Sequence, residues 1–500
     1  MNSPASQSPL PVWRSISLRA SIHAAPGRAL AGLLSFPGFL SVLVVFLSVL
    51  PLVSPWYWLA PLPSVLVVSF LVLLRAPELG IYLVVALIPF GGIRAMVNQA
   101  VGMNTYHLLV LVVLLVVAIK FVVREMDLRK LRCNLWPLLL LFLAVCVIST
   151  SLSEYPAVAI SGTAEFVGSA AFISIALLLI DGRGFQRVLP RILIWSVTTS
   201  AVLAIIGFFF HIDLFASQNA VYRKGIGGAV DHNGLTVLII FMLPVLVHQI
   251  LHVRRRPAQR LYAALIMVNL LAIVTTYSRG GFIAMIGVLA MLAYVHRHRL
   301  RPRHVGILVC AGLLMVSAIA YTIPASFWQR QASLVAWDDG SLNRRSSYLT
   351  VAFDTIPKNP VWGTGPDTFP NVYFASETAK LNRIRGKVVA RRAHNTYMEV
   401  LVGMGFAGFA IFMTVLWLTL ANFARAMAIA RTAGLSANLL SLISSYRLSL
   451  LGLLGYMMIF SSVQHKFLLL SIALSQIALN IVRKETAVDT LSGTIGQGRA

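Results

Sequence analysis

The sequence predicts an all-α protein that crosses a membrane about twelve to fourteen times. Two observations carry this expectation. Of 500 residues, 58% are hydrophobic and only 11% are charged, more apolar surface than a soluble core absorbs. The apolar residues also fall in runs that approach bilayer length, such as His107 to Val123, Pro190 to Phe210 and Leu235 to Leu251, with basic clusters between many of them. Spans are placed near 31–53, 60–74, 79–93, 107–123, 135–152, 164–180, 190–210, 235–251, 261–277, 281–295, 305–323, 396–421, 447–461 and 464–482. Residues 1–30 carry Arg14, Arg19 and Arg28 among Ser and Pro, and the apolar stretch after them lacks a small-residue cleavage site. They read as a cytosolic tail before a retained first span. The layout is then a tail over 1–30, helices over 31–323, a large outer loop over 324–395, helices over 396–482, and a second cytosolic tail over 483–500.

The formal charge of +25 raises the question of nucleic acid, and the positions of the basic residues answer it. With the N-terminus inside, the inner segments and their span edges hold twenty-five of the 41 Lys and Arg residues, in clusters such as Arg254-Arg255-Arg256 and Arg297 to Arg303. The short outer loops hold five: Arg94, Arg223, Lys224, Arg279 and Lys466. The long loop 324–395 carries ten more, but long loops translocate whatever their charge. The charge is therefore topological, and no nucleic-acid partner is expected. Cysteines introduced at positions 340 and 380 should label from outside in intact spheroplasts, and one at 256 should not. Protection of both loop positions would overturn this topology.

Cys133, Cys146 and Cys310 lie in or beside spans, with neither a CxxC nor metal-ligand spacing, so no disulfide framework is expected.

Ionisable residues that cytosolic anchoring does not explain are the first functional candidates in a membrane protein. Three places on the outer side hold them. The loop 211–234 runs through Tyr222-Arg223-Lys224 and a glycine-rich stretch to Asp231-His232-Asn233-Gly234, where Asp231 or Asn233 suits an N-cap. Thr275 to Gly281 is a tight turn that puts Arg279 at the membrane surface, where an arginine against the positive-inside trend points to an anion. In the long loop, Asn343 to Ile356 reads as an amphipathic helix stopped by Pro357, with Arg345, Tyr348 and Ala352 on one face. Beyond it, Arg391-Arg392-Ala393-His394-Asn395-Thr396 leads into a helix, and Thr396 with Glu399 has capping-box spacing. His394 thus precedes a helix N-terminus, which attracts phosphate and favours a neutral imidazole able to accept a proton. A surface or capping histidine is the bland alternative, as helix capping is for Asp231, His232 and Asn233.

In this order the pieces resemble the O-antigen ligase and polymerase family of bacteria, across roughly residues 190–480. The matching motifs are Ser278-Arg279-Gly280-Gly281; Arg345 followed by Pro360, Gly363, Gly365 and Phe369; and His394-Asn395 leading into Leu401 to Gly408. Arg223 and Asn233 resemble the family's earlier Arg and Asn. The family usually has Asp-Pro-Asn or Asn-Pro-Asn where this chain has Asp231-His232-Asn233. The resemblance implies a glycosyltransferase of the GT-C type in the bacterial inner membrane, with both termini cytosolic and its active site periplasmic. It also implies an undecaprenyl diphosphate-linked glycan as donor and a glycan or lipid hydroxyl as acceptor. Arg279 and Arg345 would clamp the diphosphate, His394 would take the acceptor proton, and Arg223, Asn233, Asn395 and Arg392 would bind substrate. No cofactor is implied. Asp338-Asp339-Gly340 reads as a solvated turn and neither a DxD pattern nor a His pair appears on this face, so metal independence is expected.

Within that family a polymerase joining repeat units uses the same donor chemistry as a ligase. A transporter or lipid flippase is the rival of another class. It would need ionisable groups near the midplane and often related halves, whereas the spans here are nearly all apolar at mid-depth and no repeat is visible.

Overall fold

The computed structural model describes residues 62–101, 105–212, 225–229, 231–299, 340–382 and 387–497. The expected tail 1–30, the spans near 31–53 and 305–323, Arg223, and the Asp338-Asp339 pair lie outside them. The described residues form helices and no strands. The chain divides after Arg75, and α1 (Leu62–Arg75) is the described part of the first unit.

The second unit begins with α2 (Glu78–Ala86), α3 (Gly91–Val101) and α4 (Thr105–Val122). Longer helices follow: α5 (Trp136–Ser151), α6 (Pro156–Leu179), α7 (Leu189–Phe210), α8 (His232–His252), α9 (Arg256–Thr275) and α10 (Arg279–Val295). After α10 come α11 (Gly340–Thr355) and the short α12 (Phe369–Ala375) and α13 (Glu377–Leu381), then α14 (Thr396–Thr432), α15 (Ala437–Tyr456) and α16 (Lys466–Gln497). Among the described residues seven helices are long and apolar enough to cross a membrane, or up to eight if a broken pair counts as one span. The chain is thus an all-α polytopic membrane protein. α4 from Tyr106, α5 and α10 are apolar but shorter.

α8 is the centre of this bundle. Its residues Leu235 to Leu246 are all buried, as expected of a helix that is apolar all round, and Phe241 stacks on Phe467 of α16 at 4.5 Å. Connections of a few residues join α5 to α6, α8 to α9, α9 to α10 and α14 to α15, so these neighbours run antiparallel. One end of the bundle therefore collects the starts of α8, α10 and α14 and the ends of α9 and α15. The basic clusters 183–191, 254–260 and 425–431 lie at the opposite end.

Three local expectations change. The span near 79–93 breaks into α2, a 3₁₀ turn Ile88–Phe90 and α3, because Pro89 lacks an amide hydrogen and Gly92 bonds instead to the Gly228 carbonyl at 2.8 Å. The span near 447–461 starts ten residues earlier: Ser436 caps α15 at Leu439, and Ser445 bonds back to the Ser441 carbonyl. Serine in a span hides its hydroxyl on its own helix. Arg447 accordingly falls mid-helix, not at a cytosolic edge.

The third change concerns α14, placed near 396–421, which runs on to Thr432 and is kinked at Gly405. Gly405 has φ 62° and ψ −169°, which frees backbone groups on both sides of it. The carbonyls of Val402 and Gly403 accept from the amides of Thr364 and Gly365 at 2.9 and 2.8 Å, while Phe406 and Ala407 donate to Pro360 and Val361. Broken backbone within a membrane protein persists only when protein satisfies it, and the Pro360–Gly365 segment does so here. This segment, anchored in the kink, carries the loop that ends at His394.

Candidate functional site

Asp231 caps α8 by accepting from the Gly234 amide at 2.6 Å. That leaves the Asn233 side chain to face across the bundle end, where its Oδ1 accepts from the Ser278 hydroxyl at 2.8 Å and the Tyr456 hydroxyl at 3.3 Å. Ser278 in turn caps α10, accepting from the Gly281 amide at 3.0 Å. Arg279 is the next residue, and it is buried at 9% exposure. Arg279 is thus enclosed by protein within its turn. The ends of α8 and α15 cover the turn, with Ile459 packed where a Gly280 side chain would stand.

The start of α14 is held by a second set of bonds. Asn395 is the N-cap, its side chain accepting from the amides of Tyr397 and Met398. Thr396 does not form the expected capping box. Its hydroxyl donates to the Phe460 carbonyl at 2.6 Å and accepts from the Ser462 amide, because the loop after α15 lies against it. Glu399 reaches past the cap to the Ala393 amide at 3.0 Å. Arg392 makes a two-point pair with Asp367, at 2.6 and 3.1 Å, and sits 3.5 Å from Glu399. The guanidinium of Arg392, expected to bind substrate, is taken up by these two carboxylates. The pair clamps the strand of chain that presents His394.

His394 itself has left-handed backbone, φ 51°. Tyr277, before Ser278, and Asp367 share that conformation. Residues other than Gly rarely adopt it, His, Asn and Asp more often than bulky residues such as Tyr277, and such conformations gather where a site dictates the geometry. The imidazole lies against Tyr348 of α11, with ring centroids 5.9 Å apart. Tyr348 is 2% exposed and packs with Ala352, Phe369 and Tyr373, while its hydroxyl accepts from Arg391 at 3.2 Å. The amphipathic α11 thus uses the expected Tyr348–Ala352 face as a floor. Arg345, one turn earlier, acts electrostatically on both His394 and Tyr456, as does Asp231.

The structure therefore brings Asp231–Asn233, Ser278–Arg279, Arg345, His394 and Tyr456 to one bundle end. Arg223 lies outside the described residues. Tyr456 was not anticipated: it sits in an apolar run, and nothing in the sequence shows that its hydroxyl meets Asn233. Burial, then the Arg345 guanidinium, hold the His394 imidazole below its ordinary pKa, and Asp231 opposes them. Near neutral pH the ring is neutral and able to take a proton. An activity that needs the neutral ring is lost as pH falls through this lowered value. Asp231→Asn keeps the cap but removes the opposing charge, so the acid limb of the pH–rate profile should move to still lower pH. An unmoved limb would disconnect Asp231 from His394.

Two comparisons with known proteins bear on this geometry. No curated protein shows a significant match to the chain. Residues 262–413, a stretch that holds Arg279, Arg345 and His394 but not Asn233, match the family model described as O-Antigen ligase. The chain thus carries a domain of the O-antigen ligase/polymerase family.

Proposed function

We propose that the protein is a membrane glycosyltransferase that moves a glycan from undecaprenyl diphosphate to an acceptor hydroxyl on the periplasmic face, in the manner of an O-antigen ligase. The family match supports ligase- or polymerase-type function in general. The observation that carries the finer reading is the left-handed His394, on which the charges of Arg345 and Asp231 both act, at the bundle end where the Asn233–Ser278 bond fixes the Arg279 turn.

In the proposed step the acceptor oxygen attacks the anomeric carbon and the bond from that carbon to the diphosphate oxygen breaks. His394 takes the hydroxyl proton, and the lipid diphosphate leaves with the bonding electrons. Attack opposite the leaving group inverts the anomeric centre. Negative charge grows on the diphosphate, and Arg279 and Arg345 stabilise it by charge-assisted hydrogen bonds that strengthen as the bond breaks. Two guanidinium groups supply what a divalent cation would otherwise supply, so the reaction is assigned no metal. Asn395 serves as the cap that sets the start of α14, Arg392 as the clamp on the preceding chain, and Asn233 as the brace of the Arg279 turn. The basic clusters at the other end support the orientation in which this face is periplasmic.

Arg279→Lys tests the clamp, because it keeps the charge and removes the planar fork. Transfer should fall about tenfold or more at matched protein abundance. Near-normal glycan would leave Arg279 a structural arginine. Deletion of the gene, followed by analysis of surface glycans, tests the reading as a whole. Long lipid-linked chains left unattached are the result expected of a ligase. Single attached repeat units would make the protein a polymerase, and unchanged glycans would remove it from this chemistry.

A further inference from the structure

Two further cations converge on one aromatic ring outside the Arg279–His394 cluster. The Arg94 guanidinium carbon, on α3, lies 4.5 Å from the centroid of Tyr106. The Lys466 ammonium, at the first residue of α16, lies 5.8 Å from the same centroid. Tyr106 is buried and both cations are half-buried. Arg94 Nε is buried without a hydrogen-bond partner, and among the described residues neither cation forms an ion pair. Arg94 repels Lys466, and Glu165 of α6 is the carboxylate that opposes this. Glu165 also acts on Arg392, which Asp367 and Glu399 already pair.

The backbone ties this corner to the site already described. Arg94 follows Gly92 and Ile93, whose amides both donate to the Gly228 carbonyl, in the segment that leads to Asp231. Lys466 follows His465, whose ring meets Phe460 at 6.1 Å, and the Phe460 carbonyl holds Thr396 at the start of α14. Both cations are thus carried on segments that also build the His394 site.

An aromatic ring attracts a cation, but it does not balance two charges drawn out of water beside each other. Outside the long loop and the Arg279 turn, the basic clusters between the spans collect at the opposite bundle end, which makes a half-buried pair here a costly exception. What offsets that cost is an anion with several acceptor oxygens, since a guanidinium fork and an ammonium together suit a phosphate or diphosphate group.

We propose that Arg94, Lys466 and Tyr106 form a second anion site, for a phosphate-bearing group, on the flank of the Arg279–His394 site. It goes beyond the transfer reading, because it requires anion binding in a protein that need not transfer anything. A lipid-linked diphosphate, a phosphorylated sugar and a phospholipid headgroup share this chemistry.

The test uses full-length protein in detergent, with phenylglyoxal modification of Arg94 followed by peptide mass spectrometry. Inorganic pyrophosphate should slow modification of Arg94 and leave Arg254, at the opposite end, unchanged. Lys466→Gln should weaken this protection by about tenfold, the scale of one lost charge-assisted bond, and Lys466→Arg should restore it. A hexose 1-phosphate and nanodiscs of phosphatidylglycerol serve as the other two probes. The strongest protection identifies the source as a diphosphate, a sugar phosphate or a lipid headgroup, and each of these results supports the site. The Arg279→Lys protein should keep Arg94 protected, so failure of the transfer chemistry and failure of this site give different results. Equal modification of Arg94 with all three probes would overturn the site, as would protection that Lys466→Gln leaves intact or that extends equally to Arg254.

Discussion

His394→Gln is expected to lower glycan transfer about a hundredfold while leaving membrane abundance intact, within the usual contribution of a positioned base. Glutamine keeps hydrogen-bonding atoms but cannot take a proton near neutral pH. The surrounding bonds do not depend on the ring: Glu399 holds the Ala393 amide, and Asn395 caps α14 through its own side chain. What the ring contributes structurally is its contact with Tyr348, which is already packed against Phe369 and Tyr373. The left-handed backbone of His394 supplies a control, since asparagine tolerates it best. His394→Asn should therefore fold at least as well as His394→Gln and lose transfer equally. Transfer retained in either protein would make His394 a packing residue. Donor binding should persist in both, because the arginines remain.

Gly405→Ala is expected to lose most folded protein. No side chain adopts φ 62° with ψ −169° without strain of about 1–3 kcal/mol. A Cβ there would also stand 2.2 Å from the Val361 carbonyl oxygen, and relieving such overpacking costs a further 1–3 kcal/mol or so. Straightening α14 instead would strand the amides of Thr364 and Gly365, which bond to carbonyls freed by the kink. The comparison is Gly287→Ala on α10, where a Cβ meets nothing within 4 Å and alanine favours the helix. Size-exclusion profiles and apparent melting temperatures of the two proteins in detergent should separate clearly. A Gly405→Ala protein as stable as Gly287→Ala would mean that the kink does not hold the loop.

The sequence revealed the all-α membrane class and the neighbourhoods of Arg279, Arg345 and His394, because charge is scarce in such a chain. An arginine or histidine away from the basic clusters stands out. It did not reveal burial. The enclosure of Arg279 by protein is not legible because the covering groups, on α8 and after α15, are distant in sequence. The capping box at Thr396–Glu399 had the right spacing, yet tertiary partners outbid it: Phe460 and Ser462 took the threonine, and Ala393 and Arg392 took the glutamate. Gly403 and Gly405 were visible as glycines in an apolar run, but only the contact with Pro360–Gly365 explains why the helix opens there. Arg447 was misplaced because a serine-rich stretch reads as polar when its hydroxyls are spent on its own helix.

The central claim is transfer by residues alone from a lipid diphosphate donor. Purified protein, a defined undecaprenyl diphosphate-linked glycan and a defined acceptor test it, with product followed by mass spectrometry before and after EDTA. The account predicts an inverted glycosidic product from the wild type, an unchanged rate after chelation, and a rate about a hundredfold lower from His394→Gln. Full activity in His394→Gln, or activity abolished by chelation and restored by a divalent cation, would contradict it.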